Sequence, residues 1–158
     1  MKKQEKTNVM RLLDQKKIPY QFHDYTESGA IAGDEVAKVL GENPEEVFKT
    51  LVTVGKSKKY YVFLVQVCKE LNLKKAASTV GEKSIEMIKS KDLLSLTGYI
   101  HGGCSPIGMK KFFPTYIDKS AENFDKILFS GGKIGIQVEL ATNDLKKIIK
   151  FDFADIAE

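Results

Sequence analysis

The chain has 158 residues, the length of one ordinary domain, and its 42% apolar and 29% charged residues exclude a disordered composition. Lysine supplies almost all of the net charge of +4, since Arg11 is the only arginine. The charge therefore suits phosphate as a partner better than base edges, and no nucleic-acid-reading motif points to DNA. No apolar run is long enough to span a membrane, and the charged lead from Met1 to Lys6 is unlike a secretory signal, so the reading is cytoplasmic.

Without a repeat or a linker, one domain is expected over residues 1–158. Thr7 can cap a helix carrying Val9, Leu12 and Leu13 at helical spacing, which ends before Pro19. Tyr20 to Tyr25 reads as a strand and Thr26 to Ala32 as a loop. A helix over Asp34 to Leu40 closes at Gly41, and Asn43-Pro44-Glu45-Glu46 has the form of a further helix start. Phe48 to Val54 and Tyr60 to Val67, joined by a basic turn at Gly55 to Lys59, form the clearest hairpin. Asn72 to Val80 is a helix closed by Gly81, and Ser90 caps a shorter one through Leu96. Strands are expected at Tyr99–His101, Phe112–Ile117, Ile127–Ser130 and Ile134–Leu140. The last of these places Ile134, Ile136, Val138 and Leu140 on one face. A last helix spans Asn143 to Ile149, before a tail from Phe151 to Glu158. Helices and strands mix without a βα repeat, which predicts an α+β fold: a mixed, curved sheet with helices packed around it.

Few residues stand out chemically. Lys49 interrupts a run of strand formers on the face of Leu51 and Thr53. It is either a solvated lysine or one held in a pocket beside something anionic. His101-Gly102-Gly103-Cys104-Ser105-Pro106-Ile107-Gly108 resembles a phosphate-binding loop in its glycine spacing. Met109 stands where that loop needs lysine, which excludes nucleoside triphosphate hydrolysis. The segment is therefore a turn or a backbone-lined ligand site, and Ser130-Gly131-Gly132 repeats the pattern after another strand. Cys68, Cys104, His23 and His101 are too dispersed for a disulfide framework or a paired zinc site. Cys104 lies near His101 in sequence, but no third residue is placed to orient a base, which argues against a cysteine nucleophile.

Several segments in order extend the reading. They are Gly33-Asp34-Glu35-Val36, Val47-Phe48-Lys49-Thr50-Leu51, Leu71-Asn72-Leu73-Lys74-Lys75, Thr97-Gly98-Tyr99, Gly102 to Gly108, Pro114 to Asp118, Ser130-Gly131-Gly132 and Phe153 to Ala157. Together they resemble the YbaK/EbsC family of bacterial aminoacyl-tRNA deacylases, relatives of the editing domain inserted in bacterial prolyl-tRNA synthetases. The resemblance implies a partly barrel-like mixed sheet surrounded by helices. It also implies hydrolytic editing in trans of cysteine mischarged on tRNA(Pro), extending to Cys-tRNA(Cys), with no metal or organic cofactor. Lys49 falls on the family's catalytic lysine, so the family match moves it from the surface into the site. Tyr25, Thr50, Gly102, Gly103, Ser130, Gly131, Gly132 and Gln137 fall at or beside substrate-binding positions. The implied partners are the acceptor end of aminoacyl-tRNA and prolyl-tRNA synthetase.

Two positions depart from the family pattern: Gln137 where many relatives carry an acidic residue, and Ala32 where an aromatic is common. The implied mechanism needs no protein nucleophile. The cysteinyl thiol, with a pKa of about 8.5, attacks its own ester, expels the ribose hydroxyl and leaves a thiolactone for water to open. Rival expectations are a sibling deacylase for Ala-tRNA(Pro), in which water attacks, and an inactive module that binds tRNA or a synthetase.

Overall fold

The computed structural model describes residues 6–158; the charged lead of residues 1–5 lies outside them. Thr7 caps helix α1 (Asn8–Gln15) by accepting from the Met10 amide, and the spacing of Val9, Met10 and Leu13 buries one face of the helix. Strand β1 (Tyr20–Asp24) ends one residue short of Tyr25. Helix α2 (Gly33–Leu40) closes at Gly41, whose left-handed φ of 67° lets the amides of Gly41 and Glu42 bond back to Lys38 and Ala37. Asn43-Pro44 starts only a single 3-10 turn, Pro44–Glu46, because the strand-forming residues from Val47 onward extend the chain at once.

The hairpin of β2 (Phe48–Gly55) and β3 (Tyr60–Gln66) is as expected to within a residue. Asn72 caps α3 (Leu73–Val80), and Gly81 ends it. The short strand β4 (Ile85–Met87) follows, then α4 (Ser90–Thr97), where Ser90 is the first helical residue and not the cap. Tyr99–His101 is not a strand. Thr97 bonds its hydroxyl to Leu93 and accepts the Tyr99 amide, and Gly98 turns left-handed, so the chain enters a loop. Then come β5 (Thr115–Asp118), β6 (Lys126–Lys133), β7 (Ile136–Ala141), α5 (Thr142–Leu145) and β8 (Asp152–Ala154). The expected last helix is thus one turn long. Strand β8 falls within the expected tail, Phe151 to Glu158.

The strands form two sheets, one ordered β1-β7-β6 and the other β4-β2-β3-β5-β8. The second mixes antiparallel pairs with the parallel pairs β3·β5 and β5·β8. The mixed α+β class is as expected, but the barrel-like detail is not. Each sheet keeps two edge strands, and a single parallel bridge, Val47 to Leu128, ties them together among the described residues. The main core lies between the sheets, with Phe48, Val52, Val62 and Leu64 from one and Phe129, Ile136, Val138 and Leu140 from the other, closed by α1. Ile134 falls in the turn before β7, so only three of its four expected face positions belong to the strand. A second cluster packs Phe63 and Val65 against Ala76 and Ala77 of α3, which covers the opposite face of β2 and β3. No helix among the described residues is long and apolar enough to cross a membrane.

Candidate functional site

A cavity of about 480 Å³ opens where the N-terminal end of β2 meets β6 and β7. Lys49, Thr50, Tyr25, Gly102, Ser130 and Gln137 all line it. Gly103, Gly131 and Gly132 do not, and their reason for being glycine is packing. A Cβ on Gly131 would come within 2.7 Å of Ile136, and one on Gly132 within 2.9 Å of Val9. At Gly103 it would meet the Ile134 amide at 3.0 Å. The glycine pairs thus bring two chain segments close together, and only the first glycine of one pair and the serine preceding the other face the cavity.

Both faces of β2 are covered, and this settles where Lys49 lies. Phe48 and Val52 point into the main core, while Leu51 and Thr53 lie on the face that carries the second cluster. Lys49 sits at the strand end with a side chain 25% exposed, and its Nζ lies 3.3 Å from Glu70 Oε2. Glu70 is itself 78% exposed, and its backbone is held in both directions by Glu158. Lys49 is therefore an accessible cation whose protein partner is loosely held, an arrangement that a phosphate or a polarised carbonyl can displace at small cost.

The polar atoms around the cavity are unevenly satisfied. Thr50 Oγ1 and Gln137 Oε1 are buried without a hydrogen-bond partner. Ser130 Oγ accepts the Gly132 amide, which leaves its own proton free to donate. The Gly103 amide is taken by the Ile100 carbonyl, whereas the N–H of Gly102, at φ 89°, bonds no described residue. Tyr25 is buried, its amide bonded to the Gly135 carbonyl at 2.7 Å, and burial pushes its phenol above the ordinary value.

Cys104 also lines the cavity, but burial pushes its thiol up to about 12, against a weaker opposing bond with Thr97. No hydrogen bond joins it to His101, so Cys104 is not an activated nucleophile. Nor does any group of three His, Cys, Asp or Glu side chains among them converge to hold a metal ion. Glu70, Met87 and Ser90 also line the cavity, though nothing in the sequence marks them as site residues. Met87 lies on β4, too short for a periodic signal, and Glu70 is one exposed glutamate among many. Ala32, singled out for its small side chain, does line the cavity and precedes α2, where Glu35 reaches back to its amide at 3.3 Å.

The sequence matches the aminoacyl-tRNA editing domain family over residues 27–148. It is 44% identical over 156 residues to EbsC of Enterococcus faecalis, provisionally named a Cys-tRNA(Pro)/Cys-tRNA(Cys) deacylase, covering 98% of this chain and 95% of that protein. A proline–tRNA ligase of Shouchella clausii is 28% identical over 102 residues, 65% of this chain and 18% of the ligase. Among solved structures, one described provisionally as a trans-editing enzyme for prolyl tRNA synthetase superposes with a TM-score of 0.82 at 23% identity, over 98% of this chain and 99% of that one. A hypothetical protein superposes at 0.87 and 20% identity, over 96% and 100% of the two chains. At these identities the superpositions bear on the fold alone.

Proposed function

We propose that this chain, which belongs to the aminoacyl-tRNA editing domain family, hydrolyses the ester of cysteine mischarged on tRNA(Pro), with Cys-tRNA(Cys) as a second substrate. The observation that carries the reading is a cavity that offers a cation and unpaired polar atoms but no activated nucleophile of its own. An aminoacyl ester is already activated, and cysteine brings its own thiol. The thiolate adds to the ester carbonyl, the C–O bond to the ribose breaks, and the released alkoxide takes up a proton. The resulting thiolactone is then opened by water. The enzyme holds the near-attack geometry and stabilises the developing oxyanion.

In this reading Lys49 anchors the phosphate or carbonyl region of the terminal nucleotide. The Gly102 amide and the Ser130 hydroxyl donate to the oxyanion, and the Thr50 hydroxyl takes up a substrate hydrogen bond. Prolyl-tRNA synthetase is the partner from which the mischarged tRNA is received, a step supported by the likeness to a segment of a proline–tRNA ligase.

The test compares single-turnover deacylation of Cys-tRNA(Pro), S-methylcysteinyl-tRNA(Pro) and Ala-tRNA(Pro). Rapid loss of cysteine alone is expected, because methylation removes the nucleophile without emptying the pocket. Equal cleavage of the S-methyl ester would refute thiol assistance, and preference for alanine would assign the site to water attack. Failure to cleave any of the three would overturn the hydrolase reading.

A further inference from the structure

Gln137 is unusual for a residue on the middle strand of a sheet. It is 3% exposed, yet its carbonyl oxygen has no hydrogen-bond partner. Its neighbours across the ladders are Ser130 on β6 and His23 on β7's other side, on β1, so it shares the cavity-side face with Ser130. Its amide nitrogen donates to Glu42 Oε1 at 2.9 Å, across 95 residues of sequence. Glu42 follows the closing glycine of α2, and its own amide, bonded to Ala37 at 2.9 Å, fixes where the side chain starts.

The chemistry of this pair has one consequence for orientation. With Glu42 ionised, its carboxylate only accepts hydrogen bonds, so Oε1 is met by the NH₂ end of the Gln137 amide, while its Oε2 is buried without a partner. The C=O end is then turned away from Glu42, buried and without a donor. A buried unpaired carbonyl costs free energy until a donor arrives, and it discriminates strongly against ligands that bring none. Around Glu42 the charges are mixed. Burial raises its carboxyl above the ordinary range, Gln137, His23 and Lys126 oppose this, and Glu139 adds to it. His23 and Lys126 both bond Glu139, each at 3.2 Å, and among the described residues neither hydrogen-bonds Glu42, whose partner is Gln137.

We infer that Glu42 is a positioning residue that locks the Gln137 amide with its carbonyl oxygen presented as the acceptor for the substrate's α-ammonium group. The inference rests on the aminoacyl-ester reading of the cavity and names the part of the aminoacyl group that this wall recognises. Gln137 makes the contact; Glu42 acts only through it. An amide at position 42 can accept or donate, so Glu42→Gln lets the Gln137 amide sit either way round and removes the lock while keeping the volume.

The probe is 3-mercaptopropionyl-tRNA(Pro), which keeps the thiol and the ester but lacks the amine. The readout is the ratio of kcat/KM for Cys-tRNA(Pro) to that for the des-amino ester, in wild type and in Glu42→Gln. Loss of the amine also makes the ester intrinsically less reactive, but that effect is common to both proteins and cancels. The wild-type ratio should exceed the variant ratio by about tenfold, the scale of one hydrogen bond to a charged group. The difference should lie mainly in KM, which general loosening of the fold would not produce selectively.

A second measurement needs no variant. Amide-linked 3′-cysteinylamino-3′-deoxyadenosine and its des-amino counterpart are compared as competitive inhibitors of wild type, and the latter should bind about tenfold more weakly. Equal ratios in the two proteins, or equal inhibition by the two analogues, would overturn the inference while leaving the deacylase intact. Absence of any cleavage of Cys-tRNA(Pro) would overturn both.

Discussion

Replacing Lys49 by methionine separates a role in the site from a role in the fold. Methionine keeps the length and the apolar stem of lysine and removes only the charge. The one ion pair lost is with Glu70, whose side chain is 78% exposed, so its contribution to stability is about 0–1 kcal/mol. For a chain of this size that corresponds to a Tm shift of about 4 °C at most. If the lysine stabilises charge developing on the substrate, its removal costs on the order of 2.7–4 kcal/mol of transition-state stabilisation, or about a hundredfold to a thousandfold in rate. The two effects therefore differ by several-fold in free energy and are read by separate assays: thermal unfolding of the free protein, and single-turnover release of labelled cysteine from tRNA(Pro). A loss of at least about a hundredfold with a nearly unchanged Tm is expected. A folded variant that retains activity to within about fivefold, a loss of only about 1 kcal/mol, would remove Lys49 from the machinery. A fall in Tm well beyond the ion-pair figure, in step with the loss of rate, would make it a structural lysine.

Two further outcomes follow from groups outside that ion pair. Cys104→Ala should leave Cys-tRNA(Pro) deacylation within a few-fold of wild type, because burial holds the thiol up at about 12, and should cost about 1 kcal/mol of stability for the lost buried atom; abolished turnover in a folded variant would restore the protein thiol as nucleophile. Asp118 holds the C-terminal tail by accepting the Ile156 and Ala157 amides, each at 3.1 Å, and the Ser120 amide at 3.1 Å. Burial pushes its carboxyl up, but these bonds outweigh burial and hold it below the ordinary value. A depressed folded-state pKa stabilises the fold above the unfolded value of about 3.9, and that contribution is lost as pH falls through the folded value. Denaturant unfolding of Asp118→Asn should thus show a deficit of about 1–3 kcal/mol at neutral pH that narrows below about pH 4, and a deficit constant down to pH 2 would refute the assignment.

What could be read from the sequence was local. Thr7 caps a helix, and Gly41 and Gly81 end theirs, because each works through amides or carbonyls within a few residues. The same rules failed where distant partners decide. Asn43-Pro44 carries a helix-start signal that the strand at Val47 overrides, and β4 and β8 have three residues each and owe their extension to pairing with β2 and β5. Lys49 shows why periodicity could not resolve the site. Its alternatives, solvated or pocket-bound, assumed that β2 has one covered face, whereas α3 covers one side and the main core the other. In such a strand, accessibility depends on position along the strand more than on which face a residue occupies, and Lys49 is reachable because it stands where β2 emerges beside the cavity. Gln137 reverses the case: alternation places Ile136, Val138 and Leu140 on one face, and all three lie in the main core. Yet the intervening Gln137 is buried as well, because the opposite face is covered where Glu42 reaches it from the end of α2.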